Sequence, residues 1–153
     1  MKASLRPAGT DDLDAIADVQ LASALVAFEH IGPVEKMGPV DFGPWLEAAD
    51  RAFVAEDAEG LAGFAFVGGC ELQLFYTHPR VWGHGVGRAL LAAAEDGLRS
   101  AGCEEAVVFT EERNHRPLRV YHAAGWREDG YVKEREWLGV PIREPRLRKR
   151  LRA

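Results

Sequence analysis

Three glycines at alternate positions, Gly83, Gly85 and Gly87, follow a β-rich run at 71–77 and open a helical pattern at 88–102. Glycine at every second position lets backbone N–H groups turn outward without Cβ clashes. At a helix N-terminus those amides and the helix dipole form a pocket for an anion such as a pyrophosphate. The plain alternative is a tight strand-to-helix turn, but such a turn needs one glycine rather than three. Spacing narrows the ligand. A Walker A loop ends in Gly-Lys-Ser/Thr, whereas Gly87 is followed by Arg88-Ala89. A GxGxxG dinucleotide fingerprint needs glycine at its sixth position, which is Arg88 counted from Gly83 and Leu90 counted from Gly85. The loop also follows several antiparallel-type strands instead of opening a βαβ unit. Triphosphate and dinucleotide readings both fail.

The elements around the loop set the fold class. A short strand is expected at 3–6, and Thr10-Asp11-Asp12 offers N-cap chemistry for a helix. Leu13, Ile16, Ala17, Gln20, Leu21, Ala24, Leu25 and Phe28 follow at helical spacing. Residues 30–44 are rich in proline and glycine and read as an irregular loop, with one short helix at 44–49. Strands are expected at 52–56 and 61–67 around a tight turn, and again at 71–77. The glycine-loop helix carries Ala89, Leu90, Ala93, Ala94 and Leu98 on its apolar face and Gly102 as its C-cap. A buried-type strand at 106–110 precedes a helix capped by Asn114, with Leu118, Tyr121 and His122 on one face. Two strands joined near Leu138-Gly139 complete an α/β pattern with a mixed sheet.

Composition bounds the rest. At 153 residues and 47% hydrophobic, the chain suits one compact domain with a real core. The 19 Lys and Arg against 24 Asp and Glu leave a net charge of −5, so nucleic acid is not the expected partner. Cys70 and Cys103 are too few for a disulfide scaffold and lack CxxC spacing, so both are read as small apolar fillers in a reducing compartment. The N-terminus shows no hydrophobic leader, and no apolar run approaches the ~20 residues of a membrane span. A cytoplasmic protein without membrane partners is expected. The histidines show no ligand spacing, so no metal is expected.

Residues 74–91, Leu-Phe-Tyr-Thr-His-Pro-Arg-Val-Trp-Gly-His-Gly-Val-Gly-Arg-Ala-Leu-Leu, resemble the acyl-CoA signature of the GNAT (GCN5-related) N-acetyltransferase superfamily. That pattern is Arg/Gln-x-x-Gly-x-Gly/Ala after a strand ending in an x-Pro dipeptide. A second block matches as well: Asn114, then Pro117-Leu118-Arg119-Val120-Tyr121, then Gly125-Trp126. The family's first loop position, Arg or Gln, is Trp82 here.

The resemblance implies a single domain over 1–153, with a mixed, mostly antiparallel central sheet flanked by helices and splayed around an acyl-CoA cleft. It implies acetyl-CoA as co-substrate, with the pyrophosphate on the backbone of Gly83, His84, Gly85, Val86, Gly87 and Arg88. The pantetheine arm would run along Phe75, Tyr76 and Thr77 and meet Asn114. Tyr121 matches the family's proton donor to the leaving thiolate; a phenol with a pKa near 10 is protonated at neutral pH. Glu71 is the candidate base and Glu111 the fallback.

The acceptor side points to Phe28, His30, Phe42 and Trp45, with Tyr131 and Trp137. The basic tail at 143–152 reads as an edge strand with a charged outer face, although an acidic substrate or nucleic acid is the other reading. The function expected is acetyl transfer to a primary amine, on a small molecule in preference to a protein. A protein N-terminal or lysine acetyltransferase and a non-catalytic acyl-CoA-binding module are the alternatives. A homodimer is compatible with the family, but nothing in the sequence locates an interface.

Overall fold

A computed structural model describes residues 2–151. The elements run β1 (Ser4–Pro7), α1 (Leu13–Ala27), α2 (Gly43–Ala48), β2 (Arg51–Asp57), β3 (Gly60–Gly68), β4 (Glu71–Thr77), α3 (Val86–Ser100), β5 (Glu105–Phe109), α4 (His115–Ala123), β6 (Arg127–Trp137) and β7 (Val140–Arg150). The strands form one sheet in the order β1-β2-β3-β4-β5-β7-β6, antiparallel throughout except between β4 and β5. This is the mixed, mostly antiparallel sheet expected from the sequence.

β3 carries apolar side chains toward both faces, which explains its near-continuous hydrophobic run. Ala62, Ala65 and Val67 pack in one buried cluster with Leu90, Leu91, Ala94 and Leu98 of α3. Phe64 and Phe66 pack in another with Ile16 and Val19 of α1 and with Phe42. Each fully buried Leu or Phe contributes about 2 kcal/mol of transfer free energy. The two clusters clamp the centre of the sheet from both sides and leave its opening between β4 and β5 as the weak seam.

That seam makes the cleft. β4 and β5 are paired only at Glu71 and Val107, where the Val107 N–H donates to the Cys70 carbonyl at 3.1 Å. β5 then follows β7 from the Glu105–Arg150 pair to the Phe109–Arg146 pair, while β4 stays with β3. The sheet therefore splays open past residue 71. A bulge sits on the β3–β4 ladder, since Phe66 pairs with Leu74 but Val67 with Leu72, leaving Gln73 as the extra residue.

Several expectations need correction. Cys70 and Cys103 are not separate apolar fillers: they form a disulfide with Cα atoms 5.6 Å apart. Cys70 lies in the β3–β4 turn and Cys103 just after α3, positions 33 residues apart that only the tertiary fold brings together. The basic tail strand is not an edge. β7 lies between β5 and β6, and β6 is the outer strand. Three of the tail's charges are spent on ion pairs, Arg146 with Asp129, Arg148 with Glu105, and Lys149 with Glu95; Arg152 lies outside the described residues. Asn114 precedes α4 but makes no side-chain capping bond. Residues Thr10–Asp12 form a separate 3₁₀ turn, in which the Asp12 carboxylate accepts from the Gly9 N–H at 2.8 Å and pairs with Arg6.

Candidate active site

The glycine loop is built as its residues require. Gly83 and Gly85 have φ values of +83° and +85°, a region other residues enter only with strain. Gly85 caps α3, and Ala89 is the first helical amide with an acceptor, Gly85 O at 3.1 Å. The N–H groups of Gly85, Val86, Gly87 and Arg88 thus stand outside the helical ladder at the positive end of the dipole. A Cβ at either Gly83 or Gly85 would meet nothing within 4 Å, so the loop presents bare backbone to open space. These features suit a pyrophosphate.

A cavity of about 600 Å³ runs from this loop along the splayed edge of β4. Phe75, Tyr76, Thr77, Gly83, Gly85, Gly87, Arg88 and Asn114 line it, bringing together most of the predicted cofactor residues. His84 and Val86 are not among the lining residues; the His84 side chain is exposed and Val86 is buried in the core. Their backbone remains part of the loop. Arg116, Arg119 and Lys149 also line the cavity. Cationic side chains around a bare-amide loop favour a polyphosphate.

A second cavity, about 260 Å³, opens on the other side of the same splay. Phe28, Phe75, Tyr76, Asn114 and Pro117 line both, forming a throat between them. Tyr121 lines the second cavity, 3% exposed, with its ring 5.7 Å from Phe75 and 6.1 Å from Trp126. Burial, and to a lesser degree the neighbouring Tyr76, push the Tyr121 phenol well above its usual range, so it holds its proton.

The two carboxylates are placed differently. Glu71 sits at the closed end of the splay; burial raises its carboxyl above the ordinary value, and Lys133 opposes that shift. It is not a lining residue of either cavity. Glu111 does line the second cavity but is fully engaged. It accepts from the Arg113 N–H at 2.8 Å, from Arg113 Nε at 2.9 Å and from the Arg143 N–H at 2.9 Å. Burial works against its ionisation, yet these donors hold its carboxyl below the ordinary value. It is a loop anchor, which removes it as a fallback base.

The model of the acetyltransferase (GNAT) family matches residues 19–126, most of the chain and both sides of the splay. The chain belongs to the GNAT acetyltransferase family. A Salmonella typhimurium protein, YncA, solved with its cofactor acetyl-CoA, has the same fold, with a TM-score of 0.79 over 100% of this chain and 96% of that one at 22% identity. A mycothiol acetyltransferase of Clavibacter michiganensis is 34% identical over 56% of this chain and 29% of its own length. An aminoglycoside N(6')-acetyltransferase of Stenotrophomonas maltophilia is 33% identical over 54% of this chain and 63% of its own. The chain thus spans less than two thirds of either curated relative.

As a GNAT chain this one replaces the first loop side chain, Arg or Gln, with Trp82. The indole N–H donates to the Thr77 carbonyl at 3.1 Å, and Arg116 lies over the ring at 4.2 Å. Arg80, two places earlier, is turned away onto Asp57 at 2.7 Å. On the acceptor side, Phe28 and Trp137 meet edge to face, 5.5 Å apart, and both line the second cavity. Gly32 permits this: a Cβ there would lie 2.6 Å from Trp137 Cζ3. Phe42 is instead a core plug, while Trp45 and Tyr131 are 44% and 51% exposed. His30 hydrogen-bonds the Arg113 carbonyl through Nε2 at 2.8 Å. None of these four lines the second cavity.

Sequence reasoning passed over Gln20, Gln73, Arg135 and Glu144, all in the wall of the second cavity. Gln20 looked like one more position on a helix face. Gln73 is aimed by a bulge, and the Arg135–Glu144 pair joins β6 to β7. None carries a local signal. Among the described residues no group of three or more His, Cys, Asp or Glu could hold a metal ion.

Proposed function

We propose that this GNAT-family chain transfers the acetyl group of acetyl-CoA to a primary amine of a small molecule. The observation that carries the reading is the throat joining a cleft built to hold an anion to a compact second cavity, with Tyr121 beside it. When bound, acetyl-CoA supplies the acetyl thioester, the electrophile of the reaction. The amides of Gly83 and of Gly85 to Arg88 hold the pyrophosphate, and Arg88, Arg116 and Arg119 supply positive charge beside it. The free edge of β4 at Phe75, Tyr76 and Thr77, with Asn114 opposite, orients the pantetheine arm toward the throat.

The second cavity holds the amine. Its neutral nitrogen reaches the thioester carbon through the throat, the carbon–sulfur bond breaks, and Tyr121 protonates the departing sulfur. The amine's proton leaves through water, with Glu71 at the closed end of the splay as its sink. At about 260 Å³ the second cavity suits a small molecule better than a folded protein's side chain with its flanking backbone.

A cytoplasmic location is part of this proposal and rests on the co-substrate, not on the cysteines. No helix among the described residues is long and apolar enough to cross a membrane. A single domain over 1–153 completes the reading.

Calorimetric titration with acetyl-CoA, using ATP and NADH as controls, tests the first half. Selective micromolar binding is expected. Thiol release on addition of small primary amines tests the second half, and acetyl-CoA binding without any thiol release would leave an acyl-CoA-binding module.

A further inference from the structure

The chain's two cysteines are joined where the cleft closes. Cys70 immediately precedes β4, and its carbonyl accepts the Val107 N–H at 3.1 Å. That bond lies at the Glu71–Val107 pair, the one place where β4 and β5 are in register. Cys103 lies between α3 and β5, its N–H donating to the Leu98 carbonyl at 3.0 Å. Its side chain is packed in the core with Leu98 and Val108. The disulfide thus fastens the start of β4 to the end of α3 and the approach to β5.

The loop it closes is the cofactor unit itself. Residues 70–103 contain β4, the glycine loop and all of α3. The strand edge read as the pantetheine track and the amides read as the pyrophosphate site both lie inside it. At one end of this unit the chain itself joins strand to helix; at the other the disulfide does. Cleft width is therefore constrained covalently at the vertex.

Two features suit this bond to being made and broken. Cys70 has a φ of +57°, a left-handed conformation that a non-glycine residue keeps only where its surroundings impose it. Cys70 is also exposed while Cys103 is 4% exposed, so an external thiolate meets the bond at Cys70. In a reducing cytoplasm a protein disulfide is characteristically transient and redox-sensing, not a permanent scaffold.

Resting on the reading of the cleft as a cytoplasmic acetyl-CoA site, we propose that Cys70–Cys103 is a redox switch that pins the vertex of the splay and so sets acetyl-CoA affinity. The reductant is a dithiol. Its thiolate bonds to the Cys70 sulfur, the disulfide breaks, and Cys103 leaves as a thiolate that takes up a proton. The second thiol of the reductant, losing its proton, displaces Cys70, which is protonated in turn. The protein gains two electrons and two protons, and the reductant departs as its own disulfide. Oxidised, the unit is held ready for the cofactor; reduced, the vertex opens and binding must first reorder it.

Wild type is oxidised with glutathione disulfide or reduced with dithiothreitol, desalted without oxygen, and its free thiols are counted. Calorimetry with acetyl-CoA follows, well below the melting transition of either form. The oxidised form should bind about fivefold more tightly, and reoxidation should restore what reduction removes. The Val107 amide should exchange its hydrogen faster once the bond is reduced. Cys70→Ser should match the reduced form and ignore dithiothreitol, which separates loss of the bond from any other effect of the reductant. Equal affinity of the two folded redox forms overturns the proposal and leaves the acetyltransferase reading intact. Two free thiols that persist after glutathione disulfide overturn it as well. If neither form binds acetyl-CoA, Val107 exchange decides: a redox-dependent rate upholds the pinned vertex and places the failure on the cofactor reading, and an unchanged rate overturns the pin.

Discussion

The Trp82 indole donates its N–H to the Thr77 carbonyl at 3.1 Å, joining the glycine loop to the last residue of the strand that borders the cleft. The bond turns a family departure into a brace. It fixes the loop relative to the β4 edge and holds the face on which Arg116 rests at 4.2 Å. Trp82→Ala should weaken acetyl-CoA binding about tenfold through the lost hydrogen bond and cation–π contact. Calorimetry gives the affinity, and kcat at saturating acetyl-CoA should change much less. An unchanged affinity would show that the loop holds its shape without the brace.

Tyr121→Phe removes the hydroxyl and little else, because the ring stays packed between Phe75 and Trp126. kcat should fall roughly 100-fold with acetyl-CoA affinity nearly unchanged. Burial raises the Tyr121 pKa, so the acid form persists across the working range. The pH–rate profile should therefore climb as the amine loses its proton and show no descending limb from Tyr121 below about pH 10. A parallel collapse of affinity would make Tyr121 a packing residue.

Glu111 ties the loop after β5 to β7 and stands three residues before Asn114. Its folded pKa lies below the ordinary 4.5, so the stability it contributes is present above that value and is lost as pH falls through the lowered one. Urea unfolding of Glu111→Gln and wild type should differ at neutral pH and converge as the pH drops below about 4. Glu111→Ala, which leaves the two backbone N–H donors unmatched, should cost about 2 kcal/mol. A gap that persists at low pH would mean that shape, not charge, is what Glu111 contributes.

The Cys70–Cys103 disulfide closes a loop 33 residues long in sequence. On the chain-entropy account it stabilises by about 3 to 4 kcal/mol. Cys70 is exposed, so Cys70→Ser removes the bond with little change in packing. Melting temperature should drop by roughly 10 °C, and a reductant should lower the wild type by the same amount. A melting curve insensitive to reductant would mean that the two thiols stay free in solution.

The features legible in the sequence are local ones. The order of elements, the strand–glycine loop–helix unit and the position of Tyr121 on its helix all follow from periodicity and from residues with one dominant conformational use. Gly85 at a positive φ and Leu90 on a buried helix face need only a few neighbours to be read. Tertiary structure decided whatever depends on how far apart two strands stand. β4 and β5 leave one another after Glu71 and Val107, and that divergence creates both cavities. A one-residue bulge aims Gln73, and β7 slips between β5 and β6, so a basic tail becomes an inner strand. Cys70 and Cys103 meet across the same junction. Strand order, register shifts and long-range pairing are set by the sum of contacts from distant segments, and no short stretch of sequence carries that sum.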